Sequence, residues 1–242
     1  MKISFHERAK YLFRAAGGTI GVQVVGRNRL GVDFWHDFRR LPNIQNGPIL
    51  DIGANVGQWA ADARVNFPNT PILSLEPEPE NFRELCRRFE NDRQHRAVQL
   101  AASNRAGTAE LQINKYATMH SLELGFPGGS NRSITIETET IDCIAQRFDL
   151  ERLALLKIDV EGHEIPCIQG ASRMLREGRI DSVLVEVGFS GGYHTPFADV
   201  ERILADNDQF FLAMYDLVSD YSGYARTVYV NAFFCRQGIY LV

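Results

Sequence analysis

From residue 48 onward, short apolar runs alternate with amphipathic stretches, the pattern of strands and helices taking turns around a parallel sheet. Ile49-Leu50-Asp51-Ile52 predicts a buried first strand over about 48–52, followed by a helix over about 57–66. Pro68 and Pro71 bracket the next turn, and Ile72-Leu73-Ser74-Leu75 predicts a second strand ending at Glu76-Pro77. Phe82, Leu85, Cys86 and Phe89 share the i, i+3, i+4, i+7 spacing of a helix inner face. A third strand is predicted over about 97–102, ending in Ala101-Ala102-Ser103. Period-two alternation over 108–114 and 133–140 predicts an inserted antiparallel pair. The stretch between them, 116–132, is rich in Gly, Ser and Asn and has the length of a functional lid. A fourth strand is predicted over 153–160, then a helix starting near Pro166 with Ile165, Ile168, Ala171 and Leu175 inward, then a fifth strand over 182–187. The apolar runs 210–217 and 227–235, joined by a polar turn, fit an antiparallel hairpin closing the sheet.

Upstream, residues 5–16 carry a weakly amphipathic helical pattern stopped by Gly17-Gly18, and 19–47 are mixed. Residues 1–47 therefore read as an extension over the core and 48–242 as one α/β domain with a doubly wound, mostly parallel sheet. The four cysteines are scattered with no C-x-x-C, which points to buried thiols in a reducing compartment rather than to a disulfide framework or zinc. Residues 1–16 carry charges throughout and lack an apolar signal core, so a cytoplasmic location is expected. No apolar stretch has the roughly 18 residues needed to span a bilayer. A net charge of −4 without a basic field argues against nucleic acid as a partner. Nothing in the sequence signals an oligomeric state.

The chemistry concentrates where the first predicted strand ends. Asp51-Ile52-Gly53-Ala54-Asn55-Val56-Gly57 is a strand, a tight turn and a helix start, the place where open α/β sheets bind nucleotides. Its G-x-N-x-G turn puts Asn55 where a dinucleotide fingerprint has a second glycine, and no Lys-Ser/Thr pair follows as in a P-loop. A nucleoside-like ligand without phosphates suits the loop, and Asp51 suits a cationic one; S-adenosylmethionine has both properties. Gly53 and Gly57 would let the ligand approach the backbone. Glu76, before Pro77 at the second strand's end, could accept both ribose hydroxyls, and Asp51 could attract the ammonium. At the end of the third predicted strand, Ala102 and Ser103 are candidates to meet adenine. NAD binding, and with it an oxidoreductase, is the competing reading, because Glu76 is also placed for that ribose; Asn55 counts against it. That Asp51 and Glu76 merely cap helices or pair with arginine explains either alone, but less well two acids each directly after an apolar strand.

The second dense segment is Leu155-Leu156-Lys157-Ile158-Asp159-Val160-Glu161-Gly162-His163-Glu164. Its acids could simply be solvated residues favoured at a helix start. Together with the 51–57 loop, with Leu75-Glu76-Pro77-x-Pro79-Glu80-Asn81-Phe82, with Gly170-Ala171, Ile141-Asp142 and Asn231-x-Phe233-Phe234, however, it resembles the FkbM-type methyltransferases over roughly residues 48–235. The resemblance implies a class I methyltransferase fold and methylation by S-adenosylmethionine of a hydroxyl on a sugar, polyketide or other small metabolite. The Ala101-Ala102-Ser103-Asn104 segment departs from the family, where an acid often follows the third strand.

Methylating an alcohol requires in-line positioning and removal of the hydroxyl proton. Candidate bases are Asp159, Glu161, His163 and Glu186. Asp159 and Glu186 end adjacent predicted strands, and His163 has an unperturbed pKa suited to neutral pH. His120, in the predicted lid, could be carried in on closure. Asp159, Glu161 and Glu186 also offer hard oxygen ligands that suit Mg²⁺. A non-catalytic scaffold that binds S-adenosylmethionine is a further alternative, weakened by acids that a scaffold would not need. No Asn-Pro-Pro-Tyr element follows the fourth strand, so amino groups of proteins or nucleic acids are disfavoured as acceptors. Specificity is expected from the extension, the 116–132 loop and the 188–198 segment.

Overall fold

A computed structural model describes residues 29–42, 47–114, 122, 129–189, 194–220 and 226–239. The helix expected at 5–16 and His120 lie outside them. In chain order the elements are α1 (Phe34–Arg39), β1 (Ile49–Ile52), α2 (Gln58–Asn66), β2 (Ile72–Leu75), α3 (Pro79–Arg88), β3 (His95–Val98), β4 (Ala101–Ala102), β5 (Gly107–Asn114) and β6 (Gly129–Glu139). They continue with α4 (Ile141–Arg147), β7 (Leu155–Ile158), α5 (Glu164–Gly170), α6 (Ser172–Arg176), β8 (Ser182–Gly188), α7 (Phe197–Ala205), β9 (Gln209–Asp220) and β10 (Arg226–Arg236).

Seven strands form the main sheet in the order β3-β2-β1-β7-β8-β10-β9. The first five run parallel, and β10 and β9 close the edge as an antiparallel hairpin. Strand order reverses between β1 and β7, so a crevice opens there at the carboxyl ends of the strands. The parallel register puts Leu50, Leu73, Leu156 and Val183 on one face, against Ile141, Ile168, Met174 and Val200 of α4 to α7. Ile49, Ile72, Leu155 and Leu184 face the other way, against Phe34 and Phe38 of α1 and Ala60 and Ala63 of α2. Asp33 caps α1 by accepting from the His36 amide at 2.9 Å. The buried Asp37 receives the Tyr215 hydroxyl at 2.8 Å and the Gly31 amide at 2.9 Å, which ties this helix to β9.

Three local expectations are corrected. The third strand ends at Val98, and Ala101-Ala102 instead joins a second sheet, β4-β6-β5, so the predicted inserted pair has a third member. The helix expected from Pro166 starts at Glu164 and breaks at Ala171, because the Asp142 carboxylate of α4 accepts from the Arg173 and Met174 amides at 2.8 and 2.9 Å and caps a new helix there. Cys86 is exposed while Asn81 and Leu85 form the buried positions of α3; Cys143 is exposed too, leaving Cys167 and Cys235 as the buried free thiols. Among the described residues no helix is long and apolar enough to cross a membrane.

Candidate active site

A polar row crosses the main sheet beneath the crevice. Asp51 on β1 lies in register with Ser74 on β2 and Lys157 on β7. Ser74 donates its hydroxyl to Asp51 at 3.1 Å, so His95, whose Nε2 is 3.0 Å from the same hydroxyl, is the donor to Ser74. Burial holds the His95 pKa down to about 4, and the ring is neutral. Lys157 Nζ stands 3.2 Å from Asp51 and 3.4 Å from Asp159, and donates to the Gly53 carbonyl at 3.0 Å. Burial opposes the Lys157 charge, but Asp51 and then Asp159 outweigh it and raise its pKa above the ordinary lysine value. The ammonium therefore persists inside the sheet.

The loop after β1 is built around this row. The Gly53 and Ala54 amides donate to the Leu75 carbonyl at 3.1 and 3.0 Å. Gly53 has φ +75, and a Cβ there would lie 1.9 Å from the Asp159 carbonyl oxygen. Its bareness thus admits the end of β7. Gly57, at φ +80, does not border the crevice; a Cβ there would strike Leu85 and Phe89 around α3. The glycine expected to admit a ligand serves helix packing instead. Asn55 takes φ +51 and donates its amide to Glu76 at 2.8 Å. The other Glu76 oxygen accepts from the Glu78 amide at 2.9 Å. Burial pushes Glu76 up to about 7, against the downward pull of those two amides.

The crevice holds a cavity of about 310 Å³. Gly53, Asn55, Glu76, Pro77 and Ala102 line it on the β1–β2 side and under the second sheet. Asp159, Glu161, His163 and Glu186 line it as well. Nine of the twelve described residues singled out from the sequence therefore meet in one cavity. Asp51 does not reach it and acts through Lys157, which does. Ser103 is buried behind it, with its hydroxyl 3.1 Å from His163 Nε2.

A family model described as the methyltransferase FkbM domain matches residues 51–212, more than half of the chain. The chain belongs to the FkbM methyltransferases. It is 26% identical over 205 residues to Methyltransferase sdnD of Sordaria araneosa, covering 72% of this chain and 77% of that one. It is 24% identical over 142 residues to Hexuronic acid methyltransferase AglP of Haloferax volcanii, covering 57% and 55%. The crystal structure of Methyltransferase FkbM from Methylobacillus flagellatus KT shares the fold, with a TM-score of 0.54 at 15% identity over 81% of this chain. This chain spans 44% of that protein's length.

In this FkbM methyltransferase the four candidate bases differ in what holds them. Glu161 follows β7 in a turn at φ +55, with Gly162 at φ +102. Burial, then Glu186 and Asp159, push its pKa up to about 9. Glu186 is raised by burial while the His194 ring, with Nδ1 at 3.1 Å, works against that rise. His163 faces Ser103. Asp159 sits beside Lys157 with about a third of its side chain exposed.

The sequence reading missed several contributors. Glu164 accepts from the Val160 and Gly162 amides at 3.2 and 3.1 Å and from the Thr195 hydroxyl, and so fixes both the Glu161 turn and the chain next to His194. The Gly188 amide donates to the Thr195 carbonyl at 2.8 Å, which pins His194 alongside β8. Among the described residues, one donor atom each of Glu161, Glu186 and His194 lies within 4.8 Å of the others, a group that includes His194 and not Asp159. Trp59 also lines the cavity, with Lys157 Nζ 5.9 Å from its ring. Leu111 and Leu122, brought in with the second sheet, form part of its wall. His194 lies in the 188–198 segment expected to set specificity, but its place beside Glu186, eight positions earlier in the chain, follows from strand pairing.

Proposed function

We propose that this chain transfers the methyl group of S-adenosylmethionine to a hydroxyl oxygen of a small polyhydroxylated molecule, such as a sugar or another secondary metabolite. The observation that carries this reading is the cavity itself. The buried Glu76 borders it at the end of β2, and Asp159, Glu161 and Glu186 border it at the ends of β7 and β8. Each Glu76 oxygen already accepts one backbone amide and keeps a lone pair for a ribose hydroxyl. Leu100, Ala101, Ala102 and Leu111 offer adenine an apolar wall. The acids across the cavity match a sulfonium cation and an ammonium. A relative named for a hexuronic acid supports the sugar class of acceptor.

When bound, S-adenosylmethionine supplies an electrophilic methyl group on a sulfur that departs as a neutral thioether. The chain's own work is to orient two reactants and to move one proton. Asp159 is the base in this proposal. Glu161 holds its proton near neutral pH, Glu186 is engaged by His194, and His163 by Ser103. Asp159 borders the cavity, is partly open to it and is steadied by Lys157. It receives the acceptor's hydroxyl proton as the oxygen becomes methylated, assistance that contributes about 10²–10⁴-fold in comparable cases.

The test is a calorimetric titration with S-adenosylmethionine, S-adenosylhomocysteine and NAD, repeated with Glu76→Ala, followed by transfer of labelled methyl to a panel of sugars and hydroxylated metabolites. Micromolar binding of the first two ligands, lost in the variant, is the expected result. Binding of NAD in their place sinks the reading. Asp159→Asn should keep cofactor binding and lose at least a hundredfold in turnover; full turnover would remove Asp159 as the base.

A further inference from the structure

We propose that Glu161, Glu186 and His194 form a binding site for a transition-type divalent cation, of which Mn²⁺ is the representative, on the acceptor side of the cavity. The three come from separate parts of the chain: the turn after β7, the carboxyl-terminal end of β8 and the segment paired to β8 ahead of α7. Each offers one donor atom, and the three atoms lie within 4.8 Å of one another.

The spacing already suits a metal. Donors at about 2.1 Å from a six-coordinate ion stand about 3 Å apart when adjacent. Glu186 Oε1 and His194 Nδ1 are 3.1 Å apart. That edge of a coordination polyhedron exists with no movement of either side chain, and Glu161 has only to close from within 4.8 Å. The supports are rigid. Gly188 carries no Cβ where His194 packs, since one would lie 2.6 Å from the His194 Cβ. The Tyr229 ring packs against the imidazole, tilted by 35°, at 4.7 Å between centroids. Glu164 holds the Glu161 turn on one side and Thr195 on the other, so one buried carboxylate positions two of the three donors.

Charge points the same way. Glu161 and Glu186 reach the cavity beside Asp159, and Lys157, which borders the same cavity, is shared between Asp51 and Asp159. Two carboxylates and an imidazole favour Mn²⁺, Fe²⁺ or Zn²⁺ over the Mg²⁺ expected from an all-oxygen set, because imidazole is a softer ligand. Three protein donors leave positions for oxygens of the acceptor, most naturally two neighbouring hydroxyls or a hydroxyl beside a carboxylate. The ion's part in catalysis rests on the methyltransferase reading above; its binding does not.

The experiment uses the full chain stripped with EDTA and dialysed, titrated with MnCl₂ and followed by the electron paramagnetic resonance of free Mn²⁺ and by calorimetry. One Mn²⁺ per chain at micromolar affinity is expected. His194→Ala and Glu186→Gln should each weaken it at least tenfold, and Asp159→Asn less than threefold. If His194→Ala fails to fold by circular dichroism, Glu161→Gln provides the second variant and should weaken binding by the same factor. Absence of Mn²⁺ binding at millimolar concentration, or binding indifferent to all three ligand variants, overturns the site and leaves Glu186 and His194 as a side-chain contact only. S-adenosylhomocysteine is titrated separately in EDTA. If it binds where Mn²⁺ does not, the cation site is wrong while the methyltransferase reading stands.

Discussion

Lys157 on β7 donates to the carbonyl of Gly53 in the loop after β1, at 3.0 Å, and so clamps that loop from inside the sheet. The same ammonium stands between Asp51 and Asp159. Removing one member of a buried ion pair strands the others, at a cost of about 3–5 kcal/mol. Lys157→Met should therefore lower stability by that order in urea unfolding. The double variant Lys157→Met/Asp51→Leu should recover part of it, since no charge is left stranded on β1. Cofactor affinity should stay weak in both, because the Gly53 carbonyl has lost its tether. Recovery of affinity along with stability would mean that Lys157 does not shape the loop.

Gly170 opposes two effects cleanly. It closes α5, where alanine is favoured over glycine by about 1 kcal/mol. A Cβ there would nevertheless lie 2.1 Å from the Ser103 carbonyl oxygen, which is backbone and cannot swing aside. Sterics should win. Gly170→Ala is expected to destabilise by about 2 kcal/mol or more and to disturb the Ser103–His163 contact, visible as a shifted His163 signal by NMR. A stabilised variant would show that α5 can retreat from β4.

The parts of this fold visible in the sequence were those with strong periodicity and a local cause. Ile49-Leu50-Asp51-Ile52 and Ile72-Leu73-Ser74-Leu75 are buried throughout, and they read as strands because an apolar run stops at a turn. The C-terminal hairpin read correctly because two long apolar runs flank a polar turn. What failed depended on distant partners. Ala101-Ala102 continues the third apolar run in sequence but pairs with Thr138 and Glu139 of β6. The break at Ala171 is imposed by Asp142, some thirty residues upstream. At the site, Glu76, Asp159 and Glu186 were legible as acids ending apolar strands. Ser74 and His95 were not, because a buried polar row across neighbouring strands leaves no trace in one strand's pattern.

The aromatic packing behind the cavity yields a further prediction. Phe38 of α1 is 1% exposed, stacks on Phe34 at 5.5 Å and meets Phe67 edge-on at 5.2 Å. Trp35 of α1 lies 5.2 Å from Trp59, the cavity-lining ring. Phe38→Ala should cost about 3–5 kcal/mol in urea unfolding. These are the chain's two tryptophans, so cofactor binding should change the intrinsic fluorescence. Trp35→Phe should retain that change, and Trp59→Phe should abolish most of it. A signal that survives Trp59→Phe would place the ligand elsewhere.

Glu76 sets the pH dependence of binding. Burial raises its pKa to about 7, so the unliganded folded chain keeps a proton there that the unfolded chain, at the ordinary glutamate value of 4.5, has released. Between those two pH values the folded state binds more protons, and its stability falls as pH rises, by about 3 kcal/mol at most from this group. Ligand hydroxyls that donate to the carboxylate favour its ionised form and act against that slope. Affinity for S-adenosylhomocysteine should then rise about tenfold per pH unit below 7 and level off above it. Glu76→Gln should bind weakly with a flat profile between pH 5.5 and 8, since no proton has to leave. A wild-type profile equally flat over that range would show that ionised Glu76 does not receive the ribose.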